Sequence, residues 1–327
     1  MIPITDLSWQ GLSWQDQLSH SVRSSKELSA ALNLDLAEVE TSFPVNVPRA
    51  YLDRIVPGNP RDPLLLQVLT QANELDENGE SSPLKEESFD QGFGMIQKYR
   101  GRLLVVTTGS CAINCRYCFR KNFPYEDHQP SSSDWHQIFE HIKQDSSITE
   151  VILSGGDPLM LNDKRLAWIF DELNQIYHLQ TIRLHTRLPI VIPDRITANL
   201  VATFESCRSQ IVLVTHVNHG NEIDLSVVSA LQKLRQIPIT LLNQSVLLQG
   251  VNDSTEALTH LSRQLHSSGI IPYYLHLMDK VKGAGHFDVS EATGRELIQQ
   301  LRVQLPGYLV PRLAREEPFK GSKTLIA

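Results

Sequence analysis

From residue 102 onward the chain keeps one rhythm. Short runs rich in aliphatic and β-branched residues alternate with longer stretches of helical spacing. The runs are LLVVTT (103–108), EVILSGG (150–156), TIRLHTR (181–187), QIVLVTH (210–216), ITLLNQSVLL (239–248) and IPYYLHLM (271–278). Between them DWHQIFEHIKQ, RLAWIFDELNQI, VVSALQKLRQ and ALTHLSRQLHSSG place apolar residues at i, i+3 and i+4. Six strands alternating with helices predict right-handed βαβ units and a parallel sheet. Two closures satisfy that pattern, an open doubly wound sheet or a barrel. In both, chemistry belongs at the carboxyl ends of the strands. Polar residues do gather there: Ser154-Gly155-Gly156-Asp157, His185-Thr186-Arg187, His216-Val217-Asn218-His219, Asn243-Gln244-Ser245, and His276 with Asp279. One site at that face is expected.

Residues before this repeat read differently. Ser24-Ser25-Lys26-Glu27 has the pattern of a capping box, and Asn33 a plausible helix stop. Pro48 and the turn PGNPRDP each open a further helix. ELDENGESSPLKEESFDQ (74–91) is polar and aperiodic, and is expected to be an exposed connector with no role. The division that follows is a helical extension and linker over 1–95, a core over 96–300 and a C-terminal segment over 301–327. The 327 residues are 41% hydrophobic and 20% charged, enough for a packed core and against wholesale disorder. A net charge of −7 argues against a generic nucleic-acid binder. No apolar run is long enough for a membrane span, and MIPITDLSWQ lacks the basic-then-apolar order of a signal peptide. A cytoplasmic protein with no membrane or nucleic-acid partner is expected.

The four cysteines are too few for a disulfide scaffold, and three of them cluster. Cys111-x3-Cys115-x2-Cys118 lies on the loop after the first strand of the repeat. Thiolates suit zinc, copper(I) or iron–sulfur clusters. A structural zinc site wants four ligands, and here His128 is the nearest candidate for a fourth. Three thiolates on a [4Fe–4S] cubane would instead leave one iron open. The glycines of Ser154-Gly155-Gly156-Asp157-Pro158, placed after a strand, would let backbone approach a ligand closely.

The C-x3-C-x2-C spacing, with aromatic Tyr117 before the last cysteine, resembles that of the radical S-adenosylmethionine (SAM) superfamily. The resemblance implies a partial (β/α)6 barrel, a [4Fe–4S] cluster on Cys111, Cys115 and Cys118, and SAM on the open iron. It also implies a SAM amino group at Ser154, Gly155, Gly156 and Asp157. A narrower resemblance covers nearly the whole chain. CAINCRYCFRKNFP, LSGGDPL, RLPIVIPDRIT, THVNHGNEI, NQSVLLQGVND and LPGYLVPRLARE are similar to the lysine 2,3-aminomutases.

That family also uses pyridoxal 5′-phosphate (PLP), held as a Schiff base to a lysine near the C-terminus. Gly321-Ser322-Lys323-Thr324 stands in that place, with Lys320 the competing lysine. By the same resemblance Arg102 contacts the PLP phosphate, assisted by Lys98, and Arg120 clamps the substrate carboxylate. Asp279 and Glu316 would hold the side-chain ammonium of lysine, and Arg187, His216, Asn218 and Gln244 would fall in the SAM or PLP shell. Glutamate as substrate would place a carboxylate against Asp279 and Glu316, which would repel it. Cys207 is expected to be a plain helix or core thiol. The chain lacks the extra C-terminal cysteines of the lysine-catabolic enzymes. SWQDQLSHSVRSSKELSAALNL, SFPVNVPRAYLDRI and the compact tail resemble instead the bacterial branch that supplies (R)-β-lysine. In that branch a lysyl-tRNA-synthetase-like ligase attaches it to elongation factor P, and an external donor such as flavodoxin would reduce the cluster.

Overall fold

A computed structural model describes residues 11–76 and 78–327. The first ten residues, read above for a leader pattern, lie outside the described residues. Among the described residues, nine strands form one sheet in strictly sequential order. They are β1 (Met95–Tyr99), β2 (Arg102–Thr108), β3 (Glu150–Gly155), β4 (Thr181–Thr186), β5 (Gln210–Thr215), β6 (Ile239–Val246), β7 (Ile271–His276), β8 (Arg312–Arg315) and β9 (Thr324–Leu325). The pairs from β2 through β8 are parallel, and β1 and β9 run antiparallel at the two edges.

This order decides between the two closures. A doubly wound sheet reverses its strand order at a switch point. Here each crossover adds its strand on the same side as the last, so right-handed crossovers put every helix on one face. The sheet therefore curls as a partial barrel. The six expected strands are β2 to β7, with ends within two residues of the expected ones. β1, β8 and β9 are additions to that reading.

Helices α1 (Trp14–Ser19), α2 (Ser25–Leu32), α3 (Arg49–Leu52) and α4 (Pro63–Leu66) precede the barrel. The expected caps are present. Ser24 Oγ accepts from Glu27 N, and Asn33 closes α2 in the left-handed region at φ 52°. Outside the sheet lie α5 (Tyr125–His128), α6 (Ser132–Gln144), α7 (Asp163–Asn174), α8 (Leu188–Val191), α9 (Ala198–Glu205), α10 (Leu225–Leu234), α11 (Thr255–Ser267) and α12 (Glu291–Gln304). Strand parity sorts the side chains. On β4, Ile182 and Leu184 are fully buried among Leu166, Ile169 and Phe170 of α7 and Leu200 and Phe204 of α9. The alternate residues Arg183 and His185 point to the barrel interior.

The N-terminal helices join the same core. Trp14, Leu28, Leu32, Tyr51, Leu64 and Leu65 belong to the cluster that contains the β2–β6 strand residues. The boundary at 300 falls inside α12, and the C-terminal segment supplies two strands of the sheet. Cys207, just beyond α9, gives its thiol to Asn174 Oδ1 at 3.4 Å. No helix among the described residues is long and apolar enough to cross a membrane.

The connector over 74–91 departs from its expected solvated role. Glu74 is buried on Arg116, and Leu84 and Glu86 are buried at 6% and 8% exposure. A parallel bridge ties Glu80 to Val281, and an antiparallel one ties Asp90 to Ile96. The polarity of the segment was read correctly. Its inward anchors have no periodicity to reveal them.

Candidate active site

The cysteine loop leaves the carboxyl end of β2 and is clamped from outside. Asn46 Nδ2 donates to the carbonyls of Cys111 and Ala112 at 3.3 and 3.0 Å. Asn114 N donates to Asn46 O, and Arg116 N to Gln67 O. Arg116 itself is fully buried, paired with Glu74 and donating to Phe43 O at 2.7 Å. The loop's arginine therefore holds the N-terminal segment and does not face the barrel.

Within the loop, burial pushes the Cys111 thiol well above its ordinary range, and the neighbouring Cys118 and Asp157 add to the effect. Cys118 is pushed up to about 11 by burial and by Cys115. Thiols this close and this recessed ionise only against a strong cationic partner. Among the described residues no group of three His, Cys, Asp or Glu gathers tightly enough to hold one metal ion. His128, the suggested fourth ligand, instead lies against Asp90 at 3.6 Å and Phe123. Three thiolates are the ligand set that holds a cubane cluster with one iron left open.

The glycine turn packs against this loop. Gly155 has φ +117°, and a Cβ there would come within 2.6 Å of Thr108 O. A Cβ on Gly156 would meet Ser110 O at 2.3 Å. Gly156 N donates to Thr108 O and Asp157 N to Ser110 O. The glycines thus serve first to let the β3 turn press on the β2 turn beside Cys111. Asp157 accepts from Leu159 N, Thr186 Oγ1, Arg187 N and Leu188 N. Burial raises its pKa while those donors oppose the rise. It ties the ends of β3 and β4 together.

Arg187, at the end of β4, reaches the cysteines directly. Its Nη1 donates to Cys115 Sγ and to Tyr117 Oη, both at 2.7 Å, and its Nη2 to Gln67 Oε1 and Glu222 Oε2. Asn218 is spent in the same network, on Gln67 and on Val246 N. Arg187 Nη2 also reaches Tyr51 Oη at 3.4 Å, and none of Glu222, Gln67 and Tyr51 is expected in this shell from the sequence. No motif marks them, and they meet only in the fold.

Deeper in the barrel, three imidazoles are neutral. Burial pushes His216 down to about 4, with Arg187 and Lys323 adding to it, and lowers His185 and His276 as well. The rings of His185 and His216 lie 5.7 Å apart. His185 Nε2, His276 Nε2 and Gln244 Nε2 are buried with no hydrogen-bond partner. Buried polar atoms are normally satisfied, so this interior is shaped for a polar occupant.

Lys323 stands at the start of β9, facing that interior. It donates to Glu316, just past β8, and lies over the Tyr274 ring at 5.7 Å. Glu316 also accepts from Lys98 Nζ at 2.8 Å and Tyr99 Oη at 2.7 Å. Burial would raise its pKa, but Lys323 and Lys98 outweigh that and hold the carboxylate far below its usual range. Lys98 and Tyr99 are on β1, so this cluster closes the open side of the barrel. Asp279, beyond β7, is the counterpart. Burial, and then the nearby Glu316 charge, push it up to about 7 against the pull of Lys323 and Lys98. The two expected carboxylates are thus brought together. Lys320, the competing lysine, is exposed.

Arg102 lies at the amino end of β2, opposite the cysteines, over the Tyr99 ring and 3.8 Å from Glu150. Arg183 of β4 reaches the same Glu150 at 3.1 Å. Both guanidiniums thus pair with Glu150, and Arg183 joins Arg102 without having been expected from the sequence. Arg120 is buried between the two regions. Its Nε and Nη2 donate to Glu86 at 2.7 and 2.6 Å, and its Nη1 to Ser154 Oγ at 3.2 Å.

The comparisons with known proteins agree with this geometry. Residues 98–188 match the family model described as a 4Fe-4S single cluster domain. An L-lysine 2,3-aminomutase of Haemophilus influenzae is 45% identical over 96% of this chain and 95% of its own. One from Escherichia coli is 44% identical over 95% and 93%. One from Clostridium subterminale is 32% identical over 99% of this chain and 79% of its own. A solved radical SAM methyltransferase from Sphaerobacter thermophilus superposes with a TM-score of 0.47 at 16% identity over 68% of each chain. That likeness is too weak to build on, and the fold rests on the strand order.

Proposed function

Since the chain belongs to the L-lysine 2,3-aminomutase family, we propose that it moves the α-amino group of L-lysine to the β-carbon, giving β-lysine. The observation that carries this reading is the charge layout of the barrel. A buried guanidinium, Arg120, and two carboxylates, Asp279 and Glu316, share the barrel interior with Lys323, which pairs with Glu316. L-lysine presents the complementary charges, an α-carboxylate and a distal ammonium.

The donor set fits the family's cofactors. Cys111, Cys115 and Cys118 would hold a [4Fe–4S] cluster, with Arg187 and Tyr117 against Cys115 and the Ser154–Asp157 turn beside it. When bound, cluster and SAM supply a carbon radical able to take a hydrogen atom from an unactivated carbon. Lys323 would hold PLP by its amine, with Arg102 and Arg183 toward its phosphate and the unpartnered nitrogens of His185, His276 and Gln244 around it. When bound, PLP supplies an electron-accepting ring that eases migration of nitrogen between adjacent carbons.

The chain's own residues then bind, orient and move protons. Arg120 fixes the substrate carboxylate. Glu316 holds the proton of Lys323, and Asp279, with a pKa raised to about 7, is the group able to take that proton at neutral pH. Once the Lys323 amine is engaged, Glu316 and Asp279 are free to pair with the substrate ammonium. The neutral imidazoles of His185, His216 and His276 add no competing charge, and the strap over 78–91 keeps water from Arg120.

The finer reading is that the product is the (R) enantiomer and that it feeds β-lysylation of elongation factor P by a lysyl-tRNA-synthetase-like ligase, with a flavodoxin-type reductant. It is supported by the segments quoted above.

The test is anaerobic. Protein reconstituted with iron, sulfide, PLP, SAM and reductant is expected to form β-lysine from L-lysine, and a Lys323→Ala variant none. SAM cleavage with lysine untouched would overturn the substrate assignment. Chiral chromatography of the product decides the enantiomer.

A further inference from the structure

We propose that Glu86 is the resident occupant of the carboxylate seat on Arg120, carried on a displaceable strap. A ligand must bring its own α-carboxylate to dislodge it. The proposal rests on the reading that Arg120 receives the substrate carboxylate.

The geometry around Arg120 supports it. The Arg120–Glu86 pair is bidentate on the Nε–Nη2 edge, the geometry in which arginine grips a free carboxylate. Nη1 is already turned to Ser154 Oγ and Gly155 O. Both partners are buried, at 6% and 8% exposure, so a second carboxylate brought beside Glu86 would face a like charge with little solvent to screen it. Substrate and Glu86 are therefore alternatives on one guanidinium.

Beyond Glu86, the strap is held at one end by Glu80 N to Lys280 O and Lys282 N to Glu80 O, and at the other by Phe89 on Phe319, Asp90 beside His128 and Gln91 N to Met95 O. Between those pins only Leu84 and Glu86 are buried, while Ser81, Lys85, Glu87 and Ser88 are exposed. A cavity of about 280 Å³ lies between the strap and Phe119, Arg120 and Phe123, so the segment has room to shift.

The exchange replaces one charge-assisted pair by another and returns Glu86 to water, so neither state is strongly favoured. The consequence is selectivity. A diamine without a carboxylate leaves Glu86 in place, and apparent affinity for L-lysine is reduced by the fraction of molecules whose seat is already taken.

The experiment uses holoenzyme carrying cluster, PLP and SAM, without reductant, so that no turnover occurs. Hydrogen exchange is followed by mass spectrometry in peptides covering 79–91. L-lysine is expected to speed exchange there, and 1,5-diaminopentane, which lacks the carboxylate, to leave it unchanged. Glu86→Gln is expected to exchange fast without ligand and, under turnover, to lower KM for L-lysine about threefold or more. Slower or unchanged exchange with L-lysine, together with a higher KM in Glu86→Gln, would overturn the proposal and make Glu86 a permanent positioning partner. Arg120→Lys separates the underlying reading. If it leaves KM for L-lysine unchanged, the seat is not on Arg120 and the assignment of that arginine falls first.

Discussion

Replacing Asp279 by asparagine should stabilise the cofactor-free protein at pH 8 while damaging its activity. Burial and Glu316 raise the Asp279 pKa from an ordinary value of 3.8 to about 7. The folded protein therefore holds this proton more tightly than the unfolded chain does. Between pH 4 and pH 7 the native state binds more protons, so stability falls as pH rises through that window and stays reduced above it. The gap is roughly three pH units at 1.36 kcal/mol each, an upper bound of about 4 kcal/mol. Asparagine keeps the shape and never ionises, so the variant escapes the loss. Unfolding entropy near 2.1 cal/mol/K per residue gives about 0.7 kcal/mol/K for 327 residues. The upper bound then corresponds to a Tm difference of about 6 °C. The assay is a pair of thermal melts at equal scan rate from pH 4.5 to pH 8.5. The two proteins should agree at the acid end and separate toward the alkaline end, with the variant higher. A variant that melts at or below the wild-type temperature at pH 8 would refute the assignment of a disfavoured charge at Asp279.

Exchanging Glu316 for Gln leaves Lys98 and Lys323 together without their shared anion. L-lysine turnover should fall at least tenfold more than SAM cleavage in the same assay, and equal losses would remove the proposed role. Cys111→Ser should lower iron per chain after reconstitution, measured against the colour and sulfide content of wild type. Gly156→Ala places a Cβ 2.3 Å from Ser110 O beside that cysteine, so a cost of about 1–3 kcal/mol and poorer iron retention are expected together. Glu74→Ala strands the fully buried Arg116. A loss of about 3–5 kcal/mol is expected, read as a lowered melting temperature with or without cofactors.

Much of the fold is legible in the chain because its interior strands each bury at least one face against the helices. Runs rich in aliphatic and β-branched residues mark β2 to β7, and helical spacing marks α6, α7, α10 and α11. The strands that escaped notice are edge strands or short ones. β8 has four residues and β9 two, and neither is long enough to establish a period. The cysteine trio and Lys323 are equally legible, the first from local spacing and the second from resemblance.

Local order is written along the chain: where the interior strands and the longer helices form, and which loop carries three thiols. Which charges meet is fixed only when the sheet closes. Glu316 joins Lys98 across 218 positions of the chain, and Arg187 joins Gln67 across 120. Glu86, in a stretch that reads as solvent-exposed, closes on Arg120. Periodicity records the face a residue presents to its neighbours a few positions away. It carries nothing about a partner that sheet closure brings alongside from the other edge of a barrel, and the pKa of a carboxylate such as Asp279 is set by such partners.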